Sequence, residues 1–160
     1  MLNKILRLLE DDGRLTPEQI ATMLGTETSQ VKELITQAEK DGLILKYKAV
    51  VNWDKIAEEQ VWAIIEVRVT PQMKAGFDAI AERIYKFPEA RTVMLVSGTY
   101  DLAIIVTARN MHEVASFVTH RLAPIEGVQG TTTHFLLKRY KEDGVVLDDK
   151  NKGMRQKVVL

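Results

Sequence analysis

Few residues of this chain could take part in covalent or metal chemistry. The sequence contains no cysteine, which excludes disulfides, thiolate metal sites and a cysteine nucleophile. The histidines His112, His120 and His134 lack metal-ligand spacing with acidic residues, and a metal site usually needs three or four convergent ligands. No nucleophile elbow, phosphate-binding glycine loop or paired-carboxylate pattern is present. We therefore predict no catalytic site, no metal site, no cofactor and no enzymatic activity.

The clearest small-molecule chemistry lies in a four-residue polar turn that begins at Gly98. Asp101 could hold an ammonium group, and backbone N–H groups near Gly98 could hold a carboxylate. Residues of a later strand would face the same ligand pocket. Glycine and aspartate are ordinary turn residues and threonine favours strands, so a simple hairpin turn would explain the same pattern. The candidate ligand-binding residues are Gly98, Thr99, Tyr100, Asp101, Gln129, Thr131 and Thr133.

A second polar set lies on one face of a predicted helix. Apolar residues recur at helical spacing from Val31 to Ala38, which leaves the opposite face polar. Serine, glutamine and lysine side chains suit base edges and phosphates. The candidate DNA-binding residues are Thr28, Ser29, Gln30, Lys32, Glu33, Thr36 and Gln37.

Three short helices position this polar face. Thr16 is a predicted N-cap, Pro17 suits the first helical position, and Gln19 completes a capping box. Gly25 ends that second helix, and we expect Thr28 to cap the third. Three helices with a tight glycine-containing turn between the last two are typical of a helix-turn-helix, although a generic three-helix packing unit has the same pattern.

Charge argues against strong DNA binding by this segment. The whole chain has a formal net charge of zero. Residues 1–50 hold seven basic and eight acidic side chains, a net charge of minus one. Because DNA-binding domains gather positive charge to displace counterions, we expect modest affinity at a single site. A metabolite-sensing oligomer without DNA binding remains an alternative.

The second half of the chain alternates strands and helices. The order is strand, helix, strand, strand, helix, strand, which predicts a ferredoxin-like βαββαβ domain and makes the whole chain α+β. The second of these strands should run from Arg91 to Ser97, and the last from Val128 to about Tyr140. The first helix follows Pro71. Its predicted inner stripe is Phe77, Ile80, Ala81, Ile84 and Tyr85.

The central strands predict self-association. Leu102, Ile104 and Val106 alternate with residues that are also largely apolar. Right-handed crossovers place both helices on one face of such a sheet. The other face would be an exposed apolar patch of a size that monomers avoid, so we predict at least a dimer.

The change from helical to strand spacing near residue 43 and the polar stretch 52–60 set the predicted domain limits. We predict a winged helix-turn-helix over 1–51 (its wing or link being a strand from Ile44 to Val51), a linker over 52–60, the sensing domain over 61–141 and a tail over 142–160. The tail is either disordered or an edge strand between copies. Charged residues interrupt the apolar start, and no stretch is long enough to span a bilayer, so we expect a cytoplasmic protein.

Several short motifs resemble the Lrp/AsnC family of feast/famine regulators over roughly residues 2–141. They are Gly13-Arg14-Leu15-Thr16, Ile20-Ala21, Val31, the segment from Glu39 to Ile44, Gly98-Thr99-Tyr100-Asp101, and Thr131-Thr132-Thr133 with Lys138. The chain departs from the family pattern in lacking an aspartate-rich approach to the first helix and in having few arginines on the third.

The resemblance implies a transcriptional regulator that binds DNA in a sequence-specific way. It also implies dimers, which can assemble into octamers, and an amino-acid effector bound between the sensing domains. Some relatives of this family are tetrapyrrole decarboxylases, which carry a histidine and bulky aromatics in the turn between the middle strands. The turn from Ser97 to Leu102 has no histidine and favours the regulator.

Overall fold

The structure of the protein, a computed structural model, describes residues 1–56, 60–70 and 76–147. The chain divides into two compact units, Met1–Val51 and Asn52–Leu160. The predicted helix start after Pro71, part of the predicted linker and the apolar end of the tail lie outside the described residues.

The first unit contains α1 (Leu2–Asp11), α2 (Pro17–Leu24) and α3 (Thr28–Lys40). The predicted capping box is confirmed, because Thr16 Oγ1 accepts the Gln19 N–H and Gln19 Oε1 accepts the Thr16 N–H. Gly25 ends α2 at a φ of 63°, a left-handed conformation that glycine adopts without steric cost. The core of the unit consists of Ile5, Leu9, Ile20, Ala21 and Val31.

The predicted cap of α3 is wrong by one residue. Glu27 occupies the N-cap position in an extended conformation, and its carbonyl oxygen accepts the Val31 N–H at 3.2 Å. Thr28 is therefore the first helical residue, and Glu27 makes no side-chain capping hydrogen bond.

The strand predicted over Ile44 to Val51 is absent from the structure. A strand needs a neighbour to complete its hydrogen-bond ladder, and none of the described strands pairs with this segment. Tyr47 instead holds the segment against the helices. Its ring packs on Gly13, and its hydroxyl donates to Glu39 Oε1 at 3.0 Å.

The second unit has the predicted ferredoxin-like order. Its strands are β1 (Val61–Val69), β2 (Ala90–Leu95), β3 (Leu102–Ala108) and β4 (Val128–Phe135), in the order β2-β3-β1-β4 with every pair antiparallel. Two helices connect them, α4 (Asp78–Tyr85) and α5 (Met111–Phe117). A π-helical turn, Val118–Leu122, continues α5.

One face of the sheet carries the core of this unit. In the register, Ile65 of β1 lies beside Ile104 of β3, and Val67 lies beside Leu102. Side chains from both helices pack in the same cluster, so both helices cover this face. The buried cluster is Ala63, Ile65, Val67, Val69, Ile80, Ile84, Leu102, Ile104, Val106, Val114, Phe117 and Leu122.

The opposite face of the sheet, which we call the open face, is less apolar than predicted. Ile64 and Ile105 are adjacent there and half-buried. Alternate residues of β1 beyond Ile64 are charged, because Glu66 and Arg68 follow on the same face. Glu66 Oε1 lies 3.2 Å from Nε2 of His134 on β4. The open face therefore has an apolar half and a charged half.

Three smaller predictions in this unit are wrong. β2 begins at Ala90 and ends at Leu95, two residues before the predicted end at Ser97. Tyr85 is 57% exposed, because α4 turns Ile80 and Ile84 to the sheet and the residue after Ile84 is rotated by ~100°. β4 ends at Phe135 and does not reach Tyr140. Leu136 N–H still donates to Trp62 O near the start of β1, and later residues extend past their partner strand.

The start of the predicted tail forms a small hairpin. β5 (Lys141–Glu142) pairs with β6 (Val145–Val146) across Asp143 and Gly144, whose φ angles of 44° and 81° fit a type I′ turn. The buried Leu147 follows, and its N–H donates to Tyr140 O. Asn52 Nδ2 in turn donates to Leu147 O at 2.9 Å. Residues 141–147 are thus neither a disordered tail nor a free edge strand.

Candidate DNA-binding and effector-binding sites

The exposed face of α3 carries the predicted DNA-binding residues. Apart from Thr28, which is half-buried at the first turn, all of them are exposed, while Val31 and Ala38 point into the unit. Two of the polar side chains are held by neighbours four residues away. Gln37 Nε2 donates to Asp41 Oδ1 at 2.7 Å, and Thr26 Oγ1 donates to Gln30 Oε1. The helix therefore presents a polar surface of the kind that fits a DNA groove.

An ion pair reduces the positive charge of this surface. Lys32 Nζ lies 2.9 Å from Glu18 Oε1 on α2, and both side chains are 58% exposed. The hydrogen bond from Lys32 lowers the pKa of Glu18 below its usual value. Glu18 is therefore ionised at neutral pH and competes with phosphate for the lysine.

Asp101 is built into the end of the sheet. Its backbone N–H donates to Val67 O at 3.0 Å, and its Oδ2 accepts the Val69 N–H at 2.8 Å. Its carbonyl accepts the Val96 N–H, which closes the loop that includes Gly98. Gly98 has a φ of 154°, a backbone angle that residues other than glycine rarely adopt. Sequence reasoning did not foresee the anchor on β1, because Val69 and Asp101 are 32 residues apart.

The two carboxylate oxygens of Asp101 have different roles. One anchors the turn to β1, and the other can bind a ligand. The carboxylate is partly buried and held by one backbone donor. Among the described residues, no group donates to its other oxygen, Oδ1. A carboxylate fixed in this way can accept a charge-assisted hydrogen bond from an ammonium without losing its anchor.

The register separates the other predicted effector residues. Val67 pairs with Leu102 on one side and Thr131 on the other, which brings the Asp101 turn and the start of β4 to the same end of the sheet. Thr133 lies two residues farther along β4, opposite Ile65, and thus away from the turn. Gln129 is exposed beside a bulge near Val69, while Thr99 is exposed and Tyr100 half-buried in the turn.

An arginine that sequence reasoning missed lies at this end of the sheet. Arg68 sits opposite Gly130, and a Cβ on Gly130 would meet its guanidinium at 3.1 Å. The guanidinium therefore lies close to Gly130, where a larger residue would crowd it. Arg68 is one residue from Val69, the residue that anchors Asp101, but the alternation of β1 turns its side chain to the open face.

An open pocket of about 330 Å³ lies at the other end of β3 and contains none of the predicted site residues. Its two arginines are already paired, Arg109 with Glu113 and Arg121 with Glu89 at 2.8 Å. The Arg109 side chain holds the pKa of Glu113 below its usual value. His120 is engaged with Ser116.

The described part of the chain contains no group of three or more histidine, cysteine, aspartate or glutamate side chains that could hold a metal ion. Nor is any helix in that part long and apolar enough to cross a membrane.

Comparison with known families matches both units. Residues 2–44 match a winged helix-turn-helix DNA-binding family, and residues 62–146 match the Lrp/AsnC ligand binding domain. The two matches together confirm the predicted fold class. They define a DNA-binding transcriptional regulator with a separate ligand-binding domain.

Individual relatives agree with this class. The chain is 43% identical to the uncharacterized HTH-type transcriptional regulator YugG of Bacillus subtilis, over 91% of this chain and 88% of the relative. It is 30% identical to the leucine-responsive regulatory protein of Rhizobium meliloti, over 87% and 88%. A transcriptional regulator of Neisseria meningitidis, solved as an L-Met complex, superimposes with a TM-score of 0.70 at 25% identity, covering 87% and 89%.

The chain belongs to the Lrp/AsnC family of transcriptional regulators. The relatives named above are regulators, and none of their names describes an enzyme. They favour the predicted regulator over a decarboxylase on the same frame.

Proposed function

We propose that this regulator works in the cytoplasm as a dimer or larger assembly, binds DNA through α3 and responds to an amino acid held at the Asp101 turn. The observation that carries the effector proposal is the fixed carboxylate of Asp101, whose Oδ2 is anchored by Val69 while Oδ1 has no donor among the described residues. An α-ammonium group is the natural partner of that oxygen.

Groups that could bind the rest of an amino acid lie at the same end of the sheet. Backbone N–H groups of the loop at Gly98 and Thr99 can receive the α-carboxylate, and Thr131 and Gln129 lie across β1 from the turn. Thr133 is the weakest of the proposed contacts because it lies farther along β4. Two similar proteins support this ligand class: one is named leucine-responsive, and the other was solved with L-Met.

Calorimetric titration with the twenty amino acids tests this site. Removing one partner of a buried charged hydrogen bond costs ~2–5 kcal/mol, so Asp101→Ala should weaken binding roughly 30-fold to several-thousand-fold. Asp101→Asn is the matched variant, because it can keep the bond to the Val69 N–H and loses only the charge. Weak binding by both variants supports the site, whereas lower melting temperatures with unchanged affinity indicate a structural turn only.

The DNA contacts proposed for α3 are Thr28, Ser29, Gln30, Lys32, Glu33, Thr36 and Gln37. Gln30 and Gln37 can each make paired hydrogen bonds to adenine, and each such contact is worth ~1–3 kcal/mol of discrimination. Footprinting on the promoter of the protein's own gene should show two half-sites separated by ~34 Å or a multiple of it. A single asymmetric half-site would contradict dimeric binding.

The proposed dimer uses the open face of the sheet. A second copy would cover the apolar half formed around Ile64 and Ile105, while the pair of Glu66 and His134 would lie in the charged half. Sedimentation should therefore show at least a dimer at micromolar concentration. A stable folded monomer of 18.1 kDa would overturn the proposal. The same experiment measures whether dimers assemble into octamers, as the family resemblance implies.

A further inference from the structure

The open pocket that contains Arg109 and Arg121, which we call the arginine pocket, is separate from the Asp101 turn. Asp101 comes directly before β3 and Arg109 directly after it. Seven strand residues at a rise of ~3.3 Å each place the backbones of these two residues more than about 20 Å apart. The pocket volume of about 330 Å³ is at the lower end of the range for small-molecule sites. The arginine pocket therefore has room for a ligand of its own.

Both arginines keep hydrogen-bond donors that their glutamate partners do not use. Arg121 donates to the two carboxylate oxygens of Glu89, at 2.8 and 3.1 Å, through Nη1 alone. Arg109 contacts Glu113 through Nε and Nη2. Among the described residues, no group accepts a hydrogen bond from Nε or Nη2 of Arg121 or from Nη1 of Arg109. Every carboxylate oxygen of the two glutamates, in contrast, already accepts one. The unused capacity of these ion pairs is therefore mainly that of donors.

The surroundings of Arg121 hold its guanidinium in place. Glu89 binds it from a position 32 residues away in the sequence, and its Cζ lies 5.8 Å from the centroid of the Phe87 ring. Arg121 also belongs to the π-helical turn Val118–Leu122. Such turns are rare and occur frequently at functional sites. Because the guanidinium is already held, it loses little conformational freedom when it binds a ligand.

We propose that the arginine pocket binds a small anion with a carboxylate or phosphate group, held by the unused N–H groups of Arg109 and Arg121. Planar guanidinium groups match the paired oxygens of both kinds of anion. The two glutamates cancel the charge of the two arginines, so directed hydrogen bonds rather than net charge hold the ligand. This second site goes beyond the proposed function and does not depend on it, because the pocket shares no residue with the Asp101 turn.

Calorimetric titration of the full-length protein with acetate, succinate and inorganic phosphate tests this proposal. Sodium chloride keeps the ionic strength constant, which separates binding from screening. We expect at least one probe to bind saturably with one anion per chain, and the order of affinities distinguishes a carboxylate from a phosphate. Arg109→Gln and Arg121→Gln should each weaken that binding at least about tenfold. Failure of all three probes to bind saturably would overturn the proposal.

A glutamate variant makes the test specific for an anion. Glu89→Gln removes a negative charge from the pocket and releases Nη1 of Arg121 from its ion pair, so anion binding should become up to about fivefold tighter. A pocket for a cation would lose a ligand group in the same variant. Weaker anion binding by Glu89→Gln therefore overturns the proposal. Lower melting temperatures with unchanged anion affinity in the arginine variants also overturn it, because the ion pairs would then be structural only.

Two further variants locate the site. Arg83→Gln removes an exposed cation of α4 that does not line the pocket, and it should leave anion affinity unchanged. Asp101→Asn should also retain anion binding, whatever its effect on an amino acid. A loss in Arg83→Gln equal to that in Arg121→Gln would show that net charge alone attracts the anion, and a loss in Asp101→Asn would place the anion at the turn. Either result contradicts the proposal, as does a loss of DNA affinity in Arg121→Gln when none of the three anions binds wild type.

Discussion

The two units of this regulator are stabilised in different ways. The second unit has twelve fully or nearly fully buried hydrophobic residues in one cluster, drawn from strands and helices far apart in the sequence. The first unit has five. A small core leaves a domain marginally stable, so the DNA-binding unit depends more on local devices such as the capping box at Thr16, the left-handed Gly25 and the Tyr47 contact.

This difference indicates where each function is vulnerable. The surface of α3 stays in place only while a few side chains and turns hold three short helices together. The Asp101 turn is fixed by hydrogen bonds to the central strand β1, whose side chains form part of the larger core. We therefore expect modest destabilisation to abolish DNA binding before it affects effector binding.

The largest effect should come from truncating a core residue in each unit. Ile20→Ala and Ile104→Ala both remove a side chain that is 0% exposed, and each change typically costs ~2–5 kcal/mol. Small domains have about 0.05–0.15 kcal/mol of stability per residue, so the shorter first unit has less stability to lose. The same cost removes most of the stability of the first unit but only part of the stability of the second. A DNA-binding assay should show that Ile20→Ala no longer binds DNA. Thermal unfolding with proteolysis should show that the second unit of this variant stays folded.

The opposite result would be that Ile104→Ala unfolds the second unit at a lower temperature than Ile20→Ala unfolds the first. That result would show that core size does not decide which unit is weaker.

Two glycines, one in each unit, allow a test with smaller changes in stability. Gly25 and Gly127 both have positive φ, 63° and 95°. A Cβ on Gly25 meets nothing within 4 Å, whereas a Cβ on Gly127 would lie 2.7 Å from Ile80 Cδ1. Gly25→Ala should therefore cost ~1 kcal/mol from backbone strain, and Gly127→Ala should add ~1–3 kcal/mol from overpacking. Denaturant unfolding measures both, and equal costs would contradict the packing argument.

The smallest effect concerns the Glu18–Lys32 pair. Glu18→Gln frees Lys32 and removes a negative charge, so affinity for random-sequence DNA should rise by up to about fivefold. The lowered pKa of Glu18 means that the wild-type pair persists at neutral pH and is lost as pH falls through that pKa. Wild type and variant should therefore converge in acid. Anisotropy across pH checks this, and a constant ratio would show that the pair does not restrain Lys32.

Sequence alone predicted the parts of the molecule that local rules determine. The helices of the first unit follow from apolar spacing, Pro17 and the Thr16 capping box. The order of strands and helices in the second unit follows from the alternation of apolar and polar residues. The exposure of the α3 face follows from the same helical period.

Features that depend on distant partners were predicted less well. The strand over Ile44 to Val51 does not form, because no described strand pairs with it. The alternation of its residues could not reveal the lack of a partner. The anchor between Asp101 and Val69 and the position of Arg68 over Gly130 both require the register of the sheet. The hairpin at Asp143-Gly144 does carry a local signal, since that dipeptide is typical of type I′ turns, although the predicted tail did not include a hairpin.

If the proposed function is right, an amino acid bound at Asp101 changes the affinity of α3 for DNA. The most direct measurement is the dissociation constant for the promoter of the protein's own gene, with and without the amino acid that binds in calorimetry, for wild type and Asp101→Asn. Linkage requires the amino acid to shift wild-type DNA affinity by its coupling factor, typically about 5- to 150-fold, and DNA to shift amino-acid affinity equally. We expect that shift in wild type and its loss in Asp101→Asn, with DNA binding retained. An equal shift in both proteins would contradict this expectation.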